Sequence, residues 1–271
     1  MTSIEELAHI ISEGDVVVVS GAGLSTDSGL PDYRGSGGSS VPSVAYDMFA
    51  GSTMWQKWVW QRNQETWRAL DRLEPTAGHR FLASWEKKGI VTGTATQNID
   101  ALHMKAGSVK VAEMHGSFTR VVCIDCREVT SRADLDRRLR ELNPTIVDDG
   151  DPANAAILAE ADRESAELSD FVVAPCLTCG GTLKPDIVFF GEGVQAMDEA
   201  FDYAREARTI LVVGSSLLVL TGMWVVSQGL SSGARLAIIN RGPTEADRLA
   251  DIRIDGGISQ TLSRVDSLLA G

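Results

Sequence analysis

The 271-residue sequence predicts an α/β fold, in which a Rossmann-like parallel sheet carries helices on both faces. Three observations support this prediction. Short runs such as Val16–Val19 are of strand length and apolar throughout, as in a central strand that is buried on both sides. Glycine and small polar residues follow several of these runs. Segments with apolar residues at helical spacing separate the runs.

The chain begins with a predicted helix, a strand and a glycine turn. Residues 3–13 have apolar side chains at helical spacing, and Gly14 ends that helix. After the strand, Gly21-Ala22-Gly23 allow a tight turn and close backbone approach, and the following helix start favours an anion. This turn therefore predicts a diphosphate site. A hydride-transfer dinucleotide motif has a third glycine where this chain has Thr26, so a structural turn remains the alternative.

The next segments predict a loop and two helices. Residues 35–43 are rich in glycine and serine and form either a connector or a loop that closes over a ligand. Residues 53–73 hold four tryptophans, and their helical spacing indicates core packing, with an apolar ligand channel as the alternative. Thr76 is the expected cap of a further helix, which Gly89 ends.

A second buried strand is expected at residues 91–96, and polar side chains follow it. They are Gln97, Asn98 and Asp100. Ligands of open parallel sheets bind outside the carboxyl ends of the strands. These side chains are therefore candidates for ligand contact.

Two histidines lie near this predicted edge. His103 falls on the following helix, where a buried structural role is expected. His115 follows a short strand-like segment at residues 111–114 and precedes Gly116, so its ring can reach a cleft. The residues alone leave a catalytic and a structural role of His115 equally open.

The four cysteines form two CxxC pairs, Cys123 with Cys126 and Cys176 with Cys179. Each pair suits a turn that places two thiolates on one metal, and two such turns make a closed tetrahedral Cys₄ zinc site. Such a site is structural, because no coordination position stays open; unliganded cysteines are the alternative. The segment between the pairs is acidic and contains one amphipathic helix. The sequence thus predicts a small inserted zinc-binding and helical domain.

The remaining chain again predicts strands that end in small or polar residues. Residues 187–192 form a strand that leads into a glycine. Residues 209–213 end in Gly214-Ser215-Ser216, and residues 235–239 end in Asn240-Arg241-Gly242. This repetition predicts one extended ligand across the edge of one sheet.

The net charge of −12 limits the partners. It argues against a nucleic-acid backbone or an anionic membrane, and it suits a basic partner such as a lysine-rich peptide. No stretch reaches the roughly 20 apolar residues of a membrane span. The acidic N-terminal residues differ from a secretory signal, so a cytoplasmic location is expected.

Several segments together resemble the sirtuins, the NAD-dependent protein deacylases, over residues 12–260. They are GAGLSTDSGLPDYR, TQNIDALH, MHGS, the paired CxxC, KPDIVFFGE, VVGSSLLV and the strand end at Asn240. PDYR and the long zinc insert are most similar to the lipoamidase/ADP-ribosyltransferase-type (class II) subgroup and its bacterial relatives.

The resemblance implies two domains. A Rossmann-like NAD-binding domain would comprise residues 1–35, 76–119 and 186–271. A small domain with the cofactor loop and the zinc module would comprise residues 36–75 and 120–185.

The resemblance also implies that NAD is consumed as a co-substrate. Backbone N–H groups of Ala22 and Gly23, with Ser25 and Arg34, would hold the diphosphate. The remaining contacts would come from the other strand ends. The full set of expected NAD contacts is Gly21, Ala22, Gly23, Ser25, Thr26, Asp32, Tyr33, Arg34, Gln97, Asn98, Ile99, Asp100, Gly214, Ser215, Ser216, Asn240, Arg241, Gly242 and Ile258.

In the implied reaction, the acyl oxygen of an acylated lysine attacks the ribose, nicotinamide leaves, and His115 acts as general base on a ribose hydroxyl. Asn98 and Asp100 would position the ribose and the carboxamide. The products would be lysine, nicotinamide and O-acyl-ADP-ribose. The substrate peptide would bind as a strand between the loop at residues 218–220 and the segment Val188, Phe189, Phe190 and Gly191.

Other functions remain open on the same NAD site. A protein mono-ADP-ribosyltransferase is the main alternative; a dehydrogenase and a non-enzymatic NAD sensor are further ones. Desuccinylase-type sirtuins carry a tyrosine and an arginine where this chain has Trp58 and Gln61, so we expect poor removal of succinyl and malonyl groups. A shift of one residue in that alignment would bring Arg62 into the position instead.

Overall fold

The computed structural model describes residues 3–30, 43–145, 161–167 and 169–270. The strands are β1 (Val16–Ser20), β2 (Val91–Thr96), β3 (Val111–Glu113), β4 (Gly116–Cys123), β5 (Val129–Ser131), β6 (Leu183–Ile187), β7 (Thr209–Val213), β8 (Arg235–Ile239) and β9 (Ile252–Ile254). The helices are α1 (Ser3–Ser12), α2 (Tyr46–Gly51), α3 (Thr53–Arg72), α4 (Ala77–Lys87), α5 (Leu102–Lys105), α6 (Arg132–Leu142), α7 (Arg163–Glu167), α8 (Met197–Glu206), α9 (Leu220–Ser231) and α10 (Ile258–Leu269). No helix in these ranges is long and apolar enough to cross a membrane.

The chain forms two compact units. The first unit comprises Met1–Gly35, Glu74–His115 and Val194–Gly271, and the second comprises Ser36–Leu73 and Gly116–Gly193. These bounds differ from the expected domains at residues 74–75, which belong to the first unit, and at residues 116–119 and 186–193, which belong to the second unit. The second difference arises because β4 and β6 pair with each other rather than with the large sheet.

The first unit is built on a six-stranded parallel sheet in the order β3-β2-β1-β7-β8-β9. Val16 and Val18 of β1 face one apolar cluster, which includes residues of α1, α4 and α10. Val17 and Val19 face the opposite cluster, which includes residues of α8 and α9. The predicted Rossmann-like sheet with helices on both faces is confirmed, because the apolar run of β1 is buried on both sides.

The second unit contains a small antiparallel sheet in the order β5-β4-β6. The tryptophans of α3 are core residues, as their spacing predicts, and Trp60 is completely buried and donates its indole N–H to the carbonyl of Leu183 at 2.9 Å. Arg132 of α6 is also completely buried, between the rings of Trp60 and Trp67. Its side chain donates to Gln64 at 2.7 Å.

The strand that was expected at residues 187–192 lies four residues earlier. β6 ends at Ile187, which pairs with Gly116 of β4. Gly116 has φ of +76°, and a Cβ atom there would lie 2.0 Å from the carbonyl oxygen of Asp186. Only glycine at position 116 therefore permits this close approach of β4 to β6, and the pairing holds β6 in the small sheet.

Candidate active site

Four neighbouring strands of the first unit, β2, β1, β7 and β8, end at one edge of the sheet. Because all of them are parallel, their carboxyl ends and the polar residues that follow them lie together. The chain order reverses between β1 and β7, so the glycine turn after β1 lies at the switch point of the sheet. This is the place where open α/β sheets bind their ligands.

The glycines of this turn bring two strand ends into backbone contact. Gly23 donates its N–H to the carbonyl of Gly214 at 2.9 Å. A Cβ atom at Gly23 would lie 2.8 Å from Cα of Gly214, and one at Gly214, where φ is +63°, would lie 2.3 Å from the nitrogen of Leu24. The Gly23 N–H thus bonds within the protein in this structure, and its expected contact with a diphosphate stays a prediction.

Ser25, Asn98 and Asp100 form a buried network beside this turn. Ser25 is 1% exposed and donates its hydroxyl to Oδ2 of Asp100 at 2.6 Å. The expected contact of Ser25 with a diphosphate likewise stays a prediction. Asn98 donates its amide to the Gly21 carbonyl at 3.0 Å and to Ser25 Oγ at 3.2 Å. These bonds place the second strand end directly against the glycine turn.

The two side chains after β2 differ in what they offer a ligand. Both amide hydrogens of Asn98 are donated within the site, so this side chain can meet a ligand through its acceptor atom, Oδ1. Oδ1 can therefore accept a hydroxyl. Asp100 accepts from Ser25 and from the N–H of Leu102 at 2.9 Å. Burial raises the pKa of the Asp100 carboxyl, because the charged form is desolvated.

His115 has a defined tautomer. Its Nδ1 lies 2.9 Å from the carbonyl oxygen of Gln97. A carbonyl only accepts, so Nδ1 carries the proton and the neutral ring has its lone pair on Nε2. Burial has the larger effect and lowers the pKa of His115, whereas the hydrogen bond to the Gln97 carbonyl raises it. The ring is accordingly neutral at pH 7 and can accept a proton at Nε2.

The other predicted contacts occupy the same edge or lie outside the described residues. Asn240 donates its amide to the carbonyls of Arg241 and Gly242 and so closes its own turn. Ile258 is 8% exposed and belongs to the core. Asp32, Tyr33, Arg34 and residues 35–42 lie outside the described residues. The half-buried or exposed members at the edge are Ala22, Thr26, Ile99, Ser216, Arg241 and Gly242.

Sequence reasoning missed Thr221, which is 4% exposed in the first turn of α9. Its hydroxyl oxygen lies 3.0 Å from Nε2 of His115. The only signal in the sequence is that a hydroxyl residue follows the Gly214-Ser215-Ser216 turn at the start of a helix. That signal does not indicate which side chain the hydroxyl meets.

A pair of buried histidines lies in the same unit. His103 is 2% exposed and bonds Ser20 Oγ through Nε2 at 2.8 Å, as its expected structural role requires. His79 is completely buried, and its Nδ1 accepts from the N–H of Thr76. Their rings meet edge to face at 4.9 Å. Desolvation lowers the pKa of His79 to about 2 and that of His103 to about 4.

We expect these two histidines to make the protein sensitive to acid. Both folded-state pKa values lie below the unfolded value of about 6.5. Their contribution to stability is therefore complete above pH 6.5 and is lost as the pH falls, because the unfolded chain binds protons first. Each imidazole lowers the free energy of unfolding by about 1.4 kcal/mol per pH unit until it titrates in the folded state. Urea unfolding between pH 7 and pH 4.5 measures this slope.

Two variants test whether a buried histidine causes this pH dependence of the free energy of unfolding. His103→Gln should give a shallower slope by about one proton, whereas His9→Gln, at an exposed position of α1, should keep the wild-type slope. Asp100 acts in the opposite direction over part of this range, because its raised folded pKa takes up a proton on acidification. Equal slopes in wild type and His103→Gln would contradict the prediction.

The four cysteines of the second unit converge. Their sulfur atoms all lie within 4.8 Å of one another, with Cys123 and Cys179 at 3.6 Å and Cys126 and Cys176 at 3.8 Å. These separations are far longer than a disulfide bond of about 2.05 Å. They match the edge of a tetrahedron of thiolates about 2.3 Å from a central Zn²⁺. The residues therefore fit one closed structural zinc ion.

The predicted peptide segment continues from β6 as Val188–Gly191 of the second unit. Phe190 is 59% exposed, and its carbonyl accepts from the N–H of Tyr46 at 3.0 Å. Phe189 is buried, and its N–H donates to Oε2 of Glu192 at 2.8 Å. That carboxylate also pairs with Lys184 at 2.9 Å. These bonds hold the backbone of the segment in place.

The fold and the site define a Rossmann-like protein with its polar site at the switch point and a separate tetracysteine module. The sequence model of the Sir2 family matches residues 21–221. The chain belongs to this family.

Individual relatives agree. The chain is 42% identical, over 95% of its length and 93% of the relative, to "NAD-dependent protein deacetylase 1" of Mycobacterium avium. It is 36% identical, over 97% of its length and 86% of the relative, to the human "NAD-dependent protein lipoamidase sirtuin-4, mitochondrial". A Sir2 structure with a p53 peptide and NAD⁺ superposes with a TM-score of 0.72 at 28% identity, over 97% of both chains.

Proposed function

We propose that this chain is an NAD-dependent protein-lysine deacylase that releases nicotinamide and O-acyl-ADP-ribose. The observation that carries the proposal is the state of His115: its Nδ1–H is held by the Gln97 carbonyl, which leaves the Nε2 lone pair at the edge where the glycine turn and Asn98 meet. A base at the switch point of a nucleotide-binding sheet suits chemistry on a ribose. Relatives named deacetylase, lipoamidase and deacylase support this reaction.

Each polar residue has a defined task in this proposal. His115 takes the proton of a ribose hydroxyl at Nε2, and the electron pair of the broken O–H bond attacks the acyl carbon. The Gln97 carbonyl accepts from Nδ1–H throughout and so stabilises the imidazolium that forms. Oδ1 of Asn98 accepts from a ribose hydroxyl or from a water. Asp100 orients the Ser25–Asn98 network and can accept from the carboxamide of NAD.

The strand-end turns supply the remaining NAD contacts. The proposal assigns the diphosphate to Ala22, Gly23, Ser25 and Arg34, with Gly214 and Ser215 at the ribose and phosphate and Asn240 at the adenosine end. The four thiolates hold one Zn²⁺, which supplies folding energy to the second unit and has no open coordination position for chemistry. No catalytic step passes through it.

The acylated lysine peptide adds as a strand at residues 188–191, next to the edge strand β6. An exposed aromatic ring at Phe190 is available to its side chains. The acidic protein suits a lysine-rich target. A cytoplasmic location, with no nucleic-acid or membrane partner, completes the proposal.

Mass spectrometry of reaction products tests the function. The protein is incubated with NAD and a panel of peptides that carry acetyl-, lipoyl-, longer acyl-, succinyl- or malonyl-lysine. We expect loss of the acyl group with stoichiometric nicotinamide and O-acyl-ADP-ribose, and slow turnover of succinyl- and malonyl-lysine. The slow turnover of these acidic acyl groups is expected because the guanidinium carbon of Arg62 lies over the Trp58 ring, 5.3 Å from its centroid, and because Gln61 is uncharged and accepts from Ser169. Protein-bound ADP-ribose without any loss of acyl groups would overturn the proposal.

A further inference from the structure

Four side chains of the first unit form one chain of hydrogen bonds that ends on His115. Ser215 donates its hydroxyl to Oε1 of Gln97 at 2.7 Å. Gln97 donates through Nε2 to the hydroxyl oxygen of Thr221 at 3.0 Å. The same oxygen lies 3.0 Å from Nε2 of His115. The chain thus joins the turns after β2 and β7, the start of α9 and the imidazole.

The direction of each bond follows from its partners. Gln97 Nε2 also lies 3.1 Å from the carbonyl oxygen of Val219, which only accepts, so the amide nitrogen faces Val219 and Thr221. The Thr221 oxygen therefore accepts from Gln97. Its own hydrogen is left for Nε2 of His115, which carries the lone pair because Nδ1 is protonated.

We propose that Thr221 is a positioning residue for the general base: its hydroxyl donates onto the Nε2 lone pair and holds His115 in the neutral, Nδ1-protonated form. That Thr221 positions a general base rests on the proposed function. The contact between Thr221 and His115 is independent of it. A ribose hydroxyl that gives its proton to Nε2 takes over the place of the Thr221 hydrogen. When Nε2 of His115 is protonated in the free enzyme, in contrast, the hydroxyl hydrogen of Thr221 must rotate away from the ring.

The surrounding structure leaves this hydroxyl little freedom. Thr221 is 4% exposed, and a threonine side chain is stiff at χ1. Gly222 makes room for its partner, since a Cβ atom there would lie 3.0 Å from Oε1 of Gln97. The amide of Gln97 is fixed at both ends, by Ser215 and by Val219. The donor is therefore preorganised toward His115.

Charged neighbours do not provide this control. Titratable groups of the first unit near His115 include Glu113, two residues before it, and Asp100, in the turn after β2. Helix α8, which packs against β3, adds Asp198, Glu199 and Asp202. Asp100 bonds Ser25 and the N–H of Leu102 instead. The causes that shift the pKa of His115 are burial and the Gln97 carbonyl. A neutral hydroxyl is thus the group that faces its lone pair.

An NMR titration of the imidazole in the NAD-free protein tests the contact. We expect Thr221→Val and Thr221→Ala to raise the pKa of His115 by about half a unit to one unit, the size of one lost neutral hydrogen bond. Thr221→Ser keeps the hydroxyl and should titrate as wild type does. Thr209→Val is the matched control, because Thr209 is completely buried at the opposite end of β7 and its hydroxyl has no partner among the described residues.

The pH dependence of deacylation gives the second readout. The acid limb of kcat/KM should move to higher pH in Thr221→Val by the same amount as the titration, and it should return in Thr221→Ser. A His115 that titrates at the wild-type pH or lower in both hydroxyl-free variants overturns the inference, whatever the activity. A wild-type protein without NAD-dependent deacylation overturns the proposed function, and the titration still decides the role of Thr221.

Discussion

We expect His115→Ala to lower the rate of NAD-dependent deacylation by on the order of 10²-fold or more, which is the usual contribution of a general base. The reason is that the variant removes the one ring whose lone pair is presented at the sheet edge by the Gln97 carbonyl. We expect NAD still to bind, since the glycine turn, Asn98 and the strand ends hold one another without His115. Single-turnover kinetics and calorimetric titration with NAD measure the two effects separately.

His9→Ala serves as the control for this variant. His9 lies on α1 with a side chain that is 69% exposed, so its loss should leave rate and binding unchanged. Circular dichroism of both variants checks the fold. A His115→Ala protein that deacylates at the wild-type rate would refute the role of the imidazole. NAD binding without any deacylation by the wild-type protein would instead favour a non-enzymatic NAD sensor.

We expect Cys176→Ser to abolish zinc binding and to unfold the second unit. Structural Zn²⁺ contributes about 10–16 kcal/mol of apparent binding free energy in small zinc modules, which is comparable to the whole stability of a typical domain, about 5–15 kcal/mol. Cys176 is 4% exposed and packs in the core cluster with Leu183 and Leu139, so metal and core depend on each other. Metal analysis should find one zinc ion per wild-type chain, and hydrogen exchange should show lost protection in β4–β6 and α6.

Leu177→Ser is the matched control, because Leu177 lies in the same turn with 81% of its surface exposed and offers no ligand. It should keep one zinc ion and the wild-type exchange pattern. The six-stranded sheet of the first unit has its own two apolar clusters, so we expect its protection to persist after zinc loss. Active, freshly purified wild-type protein without bound metal would contradict the assignment of the four cysteines.

Much of the site was predictable because it follows from local chemistry and strand order. The four consecutive valines of β1 require burial on both faces, and this places the glycine turn at a sheet edge. The CxxC spacing indicates two thiolate pairs, and the structure brings them together. The polar residues after β2 and β7 were candidates because ligands bind at strand ends.

Other contacts could not be predicted, because a backbone or side-chain group has more than one possible partner. Gly23 and Ser25 are suitable anion contacts by sequence; in the structure the Gly23 N–H donates to Gly214 and the Ser25 hydroxyl donates to Asp100. Strand β6 contains Lys184 and Pro185, so its sequence does not show the continuous apolar pattern of a buried strand. Lys184 is nevertheless buried, and it forms an ion pair with Glu192. The partners of Gly23 and Ser25, which are Gly214 and Asp100, lie far away in the sequence, and no local pattern indicates them.

Strand burial, CxxC spacing and turn chemistry are local properties, so the sequence was enough to predict the class of fold, the cluster of four cysteines and the residues that gather at one edge. Folding set which of those residues bond to one another, as Ser25 does with Asp100. It also decided the tautomer of His115 and the donor on its lone pair, Thr221, which lies 106 residues away in the chain. Hydrogen-bond direction depends on both partners, and only folding brings the second partner into place.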